Sequence, residues 1–168
     1  MKPLVSIIMG STSDLPVMEK ACKWLDDNEI PFEVNALSAH RTPDAVEAFA
    51  KGAQERGIKV IIAAAGMAAA LPGVIAASTN LPVIGVPIKG MLDGLDAMLS
   101  IIQMPPGIPT ATVGVNAAQN AAILAAQIIS LSDSAVAAKV AAHKAGLGAK
   151  IEKANKDLAE VKYNFKTN

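Results

Sequence analysis

Short apolar runs, each ending at a glycine, a proline or a polar turn and each followed by a helical pattern, recur along this 168-residue chain and constrain its fold more than any single residue does. Leu4 to Met9 stops at Gly10, and after Ser11-Thr12-Ser13-Asp14 the residues Val17, Met18, Ala21, Cys22, Trp24 and Leu25 fall at helical spacing. Phe32 to Leu37 leads into the polar stretch Ser38 to Thr42 and then into Pro43-Asp44-Ala45-Val46-Glu47-Ala48-Phe49. Thr42 before Pro43 reads as a helix N-cap with proline at the first helical position. Ile58 to Ala65 ends at Gly66 and precedes a helix from about Ala69 to Ser78. Leu81 to Val86 ends at Pro87 and precedes a helix from about Leu92 to Ile102. A fifth run, Thr110 to Val115, leads into the Ala-rich helix Ala117 to Leu131.

Most of these runs are apolar throughout, which is the pattern of strands covered on both faces. Strand alternating with helix therefore predicts one α/β domain over residues 1–168, a doubly wound, three-layer fold around a five-stranded parallel sheet. The tail from Asp133 to about Tyr163 reads as an extra C-terminal helix. Gly146 and Gly148 weaken its middle, and its Lys/Glu-rich second half is solvated.

Charge narrows the partner. Lys plus Arg and Asp plus Glu number 15 each, so the chain carries no footprint for nucleic acid or an anionic membrane, and a small-molecule partner is expected. Val60 to Ala77 is apolar for a spanning length, but Gly66, Pro72 and Gly73 break it and its many alanines drive insertion weakly. No signal peptide is read at the start, and the single cysteine, Cys22, falls at a helix core position, so a reducing cytoplasm is the expected setting. Hydrophobic residues make up 52% of the chain and 32 residues are Ala, so many apolar faces are small and smooth; association with copies of itself is expected.

In an open parallel sheet the ligand crevice lies outside the carboxyl ends of the strands, where strand order reverses. The polar residues outside helices collect there: Gly10 to Asp14 after the first strand, Ser38, His40, Arg41 and Thr42 after the second, and the loop Gly66-Met67-Ala68-Ala69 after the third. No Gly-x-Gly-x-x-Gly or Gly-x-x-x-x-Gly-Lys-Ser/Thr occurs. A helix N-terminus with hydroxyls suits a single phosphate, Arg41 offers a bidentate charge, and Asp14 can accept hydrogen bonds from ribose hydroxyls. Ser11, Ser13 and Asp14 read equally as helix caps, and the two roles are compatible.

His40 and His143 are the only histidines. The unperturbed pKa of histidine suits proton transfer near neutrality, but a loop histidine also commonly holds its turn through a backbone carbonyl. His143, on a helix without polar company, reads as a surface or interface residue. No second His or Cys stands near His40 at metal-ligand spacing, so no metal is expected, and no Gly-x-Ser-x-Gly elbow makes Ser11 or Ser13 a nucleophile.

Five motifs in order resemble one family: Gly10-Ser11-Thr12-Ser13-Asp14, Ser38-Ala39-His40-Arg41-Thr42-Pro43, Leu71-Pro72-Gly73-Val74-Ile75-Ala76-Ala77, Pro82-Val83-Ile84-Gly85-Val86-Pro87 and Gln103-Met104-Pro105-Pro106-Gly107-Ile108-Pro109. They are similar to the N5-carboxyaminoimidazole ribonucleotide mutases, the PurE family, and the resemblance runs from about residue 5 to residue 131. It implies a flavodoxin-like sheet, a homo-octamer, no metal or organic cofactor, and a ribonucleotide substrate whose carboxylate moves from the exocyclic amine to imidazole C4. It also implies that Ser11, Ser13, Asp14, Ser38 and Arg41 contact phosphate and ribose, with Ala39 beside them. By the same resemblance Gly66, Met67, Ala68, Ala69 and Leu71 lie near the imidazole and His40 shuttles the proton. The chain departs from the family where Ala70 stands in place of a common histidine, which leaves His40 as the one shuttle. Arg41, where a branch that carboxylates the amine-bearing nucleotide directly tends to have Lys, favours the mutase. That direct carboxylase and a non-catalytic nucleotide-binding module are the competing readings.

Overall fold

In the computed structural model, which describes residues 2–168, five strands form one parallel sheet in the order β2-β1-β3-β4-β5. They are β1 (Val5–Met9), β2 (Phe32–Ala36), β3 (Val60–Ala65), β4 (Val83–Pro87) and β5 (Ala111–Thr112). Helices α1 (Leu15–Asp27), α2 (Pro43–Lys51), α3 (Leu71–Ser78), α4 (Leu95–Ile102) and α5 (Ala118–Ser130) alternate with them, and α6 (Ser134–Glu160) closes the chain. This is the doubly wound, flavodoxin-like strand order, with its switch point beside β1 where successive crossovers leave in opposite directions.

Two cores explain why the strands carry no polar alternation. Val5, Ile7 and Met9 of β1 and Val60, Ile62 and Ala64 of β3 point to one face, where Met18, Ala21 and Leu25 of α1 and the alanines 118, 121, 122, 125 and 126 of α5 cover them. Ile8, Ile61, Ala63 and Ala65 point to the other face and meet Val46 and Phe49 of α2, Ile75 of α3 and Ile101 of α4. Each side chain flips face at every step along a strand, so a sheet buried on both sides demands apolar residues at consecutive positions. Ser6 is the buried polar exception, and its hydroxyl donates to Glu33 Oε1 at 2.8 Å. Arg56 binds the same carboxylate through Nη2 at 3.1 Å while its guanidinium lies 4.7 Å from the centre of the Phe49 ring.

Gly85 sets the spacing on the second face. A Cβ there would stand 2.3 Å from Ile101 Cγ2, so hydrogen at this position is what lets α4 lie against β4; Pro72 Cβ of α3, at 3.6 Å, would be in ordinary contact.

Several expectations shift. The fifth strand is two residues long instead of Thr110 to Val115, because only Ala111 and Thr112 pair with β4 before the chain turns away through Asn116 at φ 57°. Thr42 occupies the N-cap position of α2 without capping it; its hydroxyl accepts from Ser38 N and donates to Ser38 O, both at 3.0 Å, and so closes the loop instead. The Gly146 and Gly148 positions do not interrupt α6, which runs unbroken for 27 residues. Its start is fixed by Asp133, which accepts from Ala135 N and Val136 N, and its first turns are clamped to the body by buried Val136 and by Lys139 donating to Glu29 O at 3.0 Å. His143 has a polar partner after all: Trp24 Nε1 donates to its Nδ1 at 3.3 Å, with the rings edge-to-face. Cys22 is half-buried as a helix residue should be, and burial pushes its thiol pKa up. No helix among the described residues is long and apolar enough to cross a membrane.

Candidate functional site

Four strand ends build one cleft of about 290 Å3, lined by Ser11, Ser13 and Asp14 after β1, Ser38, Ala39, His40 and Arg41 after β2, and Gly66, Met67, Ala68, Ala69 and Leu71 after β3, whereas Thr12 and Thr42 stand outside the lining. That volume is near the lower end of small-molecule sites. A larger groove of about 610 Å3 lies at the opposite, amino end of β1 and β2, lined by Pro3, Asp26, Glu29, Ile30, Pro31, Phe32 and Glu33. Glu29 and Glu33 there are already paired with Lys139 and Arg56, and the groove offers no histidine, hydroxyl or arginine lining, so the smaller cleft is the candidate site.

The β1 turn divides capping from binding. Ser11 Oγ accepts from Ser13 N at 3.3 Å and caps a single 3-10 turn, Thr12–Asp14, that precedes α1. Asp14 stands at the N-cap position of α1, but its side chain makes no capping bond. Its one side-chain partner is the Ser13 hydroxyl at 3.4 Å, so the carboxylate keeps acceptor capacity toward the cleft. Partial burial raises the Asp14 pKa above the ordinary carboxylate value, and the Ser13 hydrogen bond opposes that only in part. The amino end of a 13-residue helix here presents backbone N–H groups and a positive dipole end, both suited to phosphate.

The β2 loop is held by its own residues. Thr42 N and Thr42 Oγ1 both donate to Ser38 O, and Arg41 N donates to Ser38 Oγ at 3.2 Å. Arg41 Nη2 donates to Gly10 O at 3.0 Å and so stitches this loop to the neighbouring β1 turn, beside the switch point. His40 lies in the turn between, exposed, and among the described residues no side-chain hydrogen bond engages its ring. The hydrogen bonds that hold this turn are made by Ser38, Arg41 and Thr42.

The β3 loop supplies an apolar wall. Met67 is 64% exposed and takes a left-handed backbone at φ 57°, where few non-glycine residues rest. Ala69 and Leu71 are buried and belong to the second core, so they floor the cleft instead of projecting into it. Ala70 is half-buried at its edge. Ile88, Lys89 and Gly90, after β4, complete the lining, and sequence reasoning missed them. The signal was present: Lys89 follows the apolar run Val83 to Pro87 at the same sheet edge as the other polar loops. Among the described residues no group of three or more His, Cys, Asp or Glu side chains comes together to hold a metal ion.

Residues 4–150 match the family described as AIR carboxylase. The N5-carboxyaminoimidazole ribonucleotide mutase of Pyrococcus abyssi is 62% identical over 130 residues, covering 77% of this chain and 75% of that protein. The phosphoribosylaminoimidazole carboxylase of Saccharomyces cerevisiae is 58% identical over 140 residues, covering 83% of this chain but only 24% of that longer protein. The crystal structure of Treponema denticola PurE superposes with a TM-score of 0.83 at 33% identity, over 93% of this chain and 98% of that one.

Proposed function

The chain belongs to the AIR carboxylase family, and from that premise we propose that it is an N5-carboxyaminoimidazole ribonucleotide mutase of purine biosynthesis, an isomerase that moves a carboxylate from the exocyclic amine N5 to imidazole C4. The observation that carries this reading is the meeting, in one cleft, of an unengaged histidine, a phosphate-suited helix end and an apolar Ala/Met wall.

Breaking the carbamate requires a proton at N5 as the C–N bond parts and CO2 leaves. Carbon C4 then donates its electron pair to CO2, a C–C bond forms, and the surplus ring proton must be removed. His40 delivers the first proton as imidazolium and accepts the second as neutral imidazole, so it ends the cycle as it began and no proton is consumed. Ser11, Ser13, Ser38 and Arg41 hold the phosphate with Ala39 beside them, and Asp14 accepts from the ribose hydroxyls. Gly66, Met67, Ala68 and Ala69, over Leu71, flank the imidazole, where an apolar wall suits transient CO2 better than a charged one. The reaction as written uses only groups of the chain and the substrate.

Relatives named as carboxylases keep a second reading alive, in which uncarboxylated aminoimidazole ribonucleotide is the substrate. The match spans a quarter of the yeast protein and most of the archaeal mutase, which favours the mutase. Purified protein is expected to convert the carbamate at low CO2; equal consumption of uncarboxylated nucleotide with bicarbonate would transfer the assignment to the carboxylase, and nucleotide binding without turnover would leave only a binding module.

The raised pKa of Asp14 gives a pH signature. As pH falls, Asp14 protonates before an ordinary carboxyl would, so KM is expected to climb on the acid side, and Asp14→Asn should lack that limb while binding more weakly at neutral pH. Stability runs the other way. A raised folded-state pKa means the stabilising contribution is full below the unfolded pKa and lost as pH rises through the folded one, so Asp14→Asn should be slightly more stable than the parent near neutrality. A KM that does not move with pH on the acid side would count against the ribose role.

The proposal includes a cytoplasmic homo-octamer. Leu95, Leu99 and Ile102 on α4 and Leu147, Ile151 and Leu158 on α6 are exposed, which supports burial against other copies. Light scattering in solution should give eight times the 17.2 kDa chain mass, and a monomer at micromolar concentration would refute it.

A further inference from the structure

We propose, resting on the reading just given, that Lys89 is a specificity residue of the cleft, its ammonium taking the carboxylate that the nucleotide carries beside its imidazole. Two cationic side chains line the cleft, Arg41 and Lys89. The proposed ligand brings two anionic groups, a phosphate and a carboxylate. Arg41 is tied to Gly10 O at the start of the hydroxyl turn, which puts it on the phosphate half. Lys89 leaves the end of β4 next to the end of β3, where Ile88 N donates to O of Ala65, the last residue of β3, at 2.9 Å and so brings the lysine beside the β3 loop. The second charge therefore stands on the imidazole half.

Lys89 is anchored from both sides. Its backbone N donates to Asn116 Oδ1 at 2.8 Å, and Asn116 N donates in turn to Pro87 O at 2.8 Å. Beyond it the chain bends through three consecutive left-handed residues, Leu92 (φ 48°), Asp93 (φ 55°) and Gly94 (φ 88°). At Gly94 a Cβ would fall 2.7 Å from Val115 Cγ1 and 3.2 Å from Lys89 Cα, so the bend closes tightly beneath the lysine. It returns Asp93 to Lys89, with Nζ and Oδ1 3.0 Å apart. Both side chains are largely exposed, so the pair orients the ammonium without neutralising it. An ammonium has three donors, and a single exposed ion pair leaves it capacity for a ligand oxygen.

The chemistry assigns the lysine to recognition. The migrating group is anionic before and after transfer but neutral as CO2 in between, so a fixed cation favours the two bound states over the step that joins them. Its removal should therefore raise KM more than it lowers kcat. Wild type, Lys89→Met and Lys89→Arg can be titrated with 4-carboxyaminoimidazole ribonucleotide and with the uncarboxylated aminoimidazole ribonucleotide. Lys89→Met is expected to weaken the carboxylated nucleotide about tenfold, the scale of one lost charge-assisted hydrogen bond, and to leave the uncarboxylated one within about twofold; Lys89→Arg should keep most of the preference. Asp93→Asn, which frees the ammonium, should bind the carboxylated nucleotide at least as tightly as wild type. Equal weakening of both nucleotides by Lys89→Met, no change in either, or weaker carboxylate binding by Asp93→Asn overturns the assignment. Wild-type protein that binds neither nucleotide would instead overturn the functional reading on which it rests.

Discussion

His40→Asn is expected to give a folded protein that still binds aminoimidazole ribonucleotide but transfers the carboxylate about 10²–10⁴-fold more slowly, the range measured when a general acid–base group is removed. The loss should fall on kcat. Three residues hold the turn without the imidazole: Thr42 bonds Ser38 twice through its hydroxyl, Arg41 N bonds Ser38 Oγ, and the guanidinium reaches Gly10 O. Removing the ring therefore leaves the loop where it is, and asparagine keeps a polar side chain that cannot serve as a general acid or base. Circular dichroism, nucleotide titration and single-turnover rates separate the possibilities. Turnover within tenfold of wild type would sink the shuttle, and loss of nucleotide binding would mean that the ring orders the loop in a way its contacts do not reveal.

Gly85→Val should be the most damaging conservative change in the sheet. Valine suits a strand better than glycine by at most about 1 kcal/mol. Against this, the first carbon added would already stand 2.3 Å from Ile101 Cγ2, with Pro72 Cβ at 3.6 Å, and two methyl groups follow it. Overpacking of this kind costs about 1–3 kcal/mol and occasionally more, so the net result should be destabilisation by about 2 kcal/mol and a fall in Tm of roughly 4–8 °C. A melting temperature at or above that of wild type would show that Ile101 swings aside and that α4 is not held by this contact. Because β4 runs on into Ile88 and Lys89, the same substitution is expected to loosen the cleft wall and raise KM before it unfolds the chain.

The sheet was legible because burial on both faces writes a plain pattern: consecutive apolar residues, then a glycine or a polar turn. The cleft was legible for the complementary reason. Where strands are apolar, the polar residues that remain outside helices gather at strand ends, and topology brings those ends together. Lys89 escaped because the apolar run was closed at Pro87 and the following loop, with Met91 and Leu92, resembles a helix start; three left-handed residues in a row delay α4 to Leu95, and nothing in the side chains of Leu92 or Asp93 announces that conformation. Thr42 misled because its cap signal is local, whereas the hydroxyl was taken by Ser38 four residues earlier. The Trp24–His143 contact joins residues 119 positions apart, a distance over which periodicity carries no information. The persistence of α6 through Gly146 and Gly148 reflects a general weakness of propensity: a cost near 1 kcal/mol per glycine is small against a well-capped helix.

Arg41 spends one guanidinium nitrogen on the Gly10 carbonyl and is itself part of the cleft lining. Loop geometry and the positive charge at this edge of the cleft are thereby vested in a single planar group. Lysine would match the charge at this position, but a single ammonium on a flexible stem does not reproduce a rigid fork that grips a carbonyl with one arm and presents the other donors at a set angle. Tolerance to substitution at residue 41 is therefore expected to be governed by shape before charge, and under the proposed function a defect measured there would report the order of two loops together with affinity for an anion.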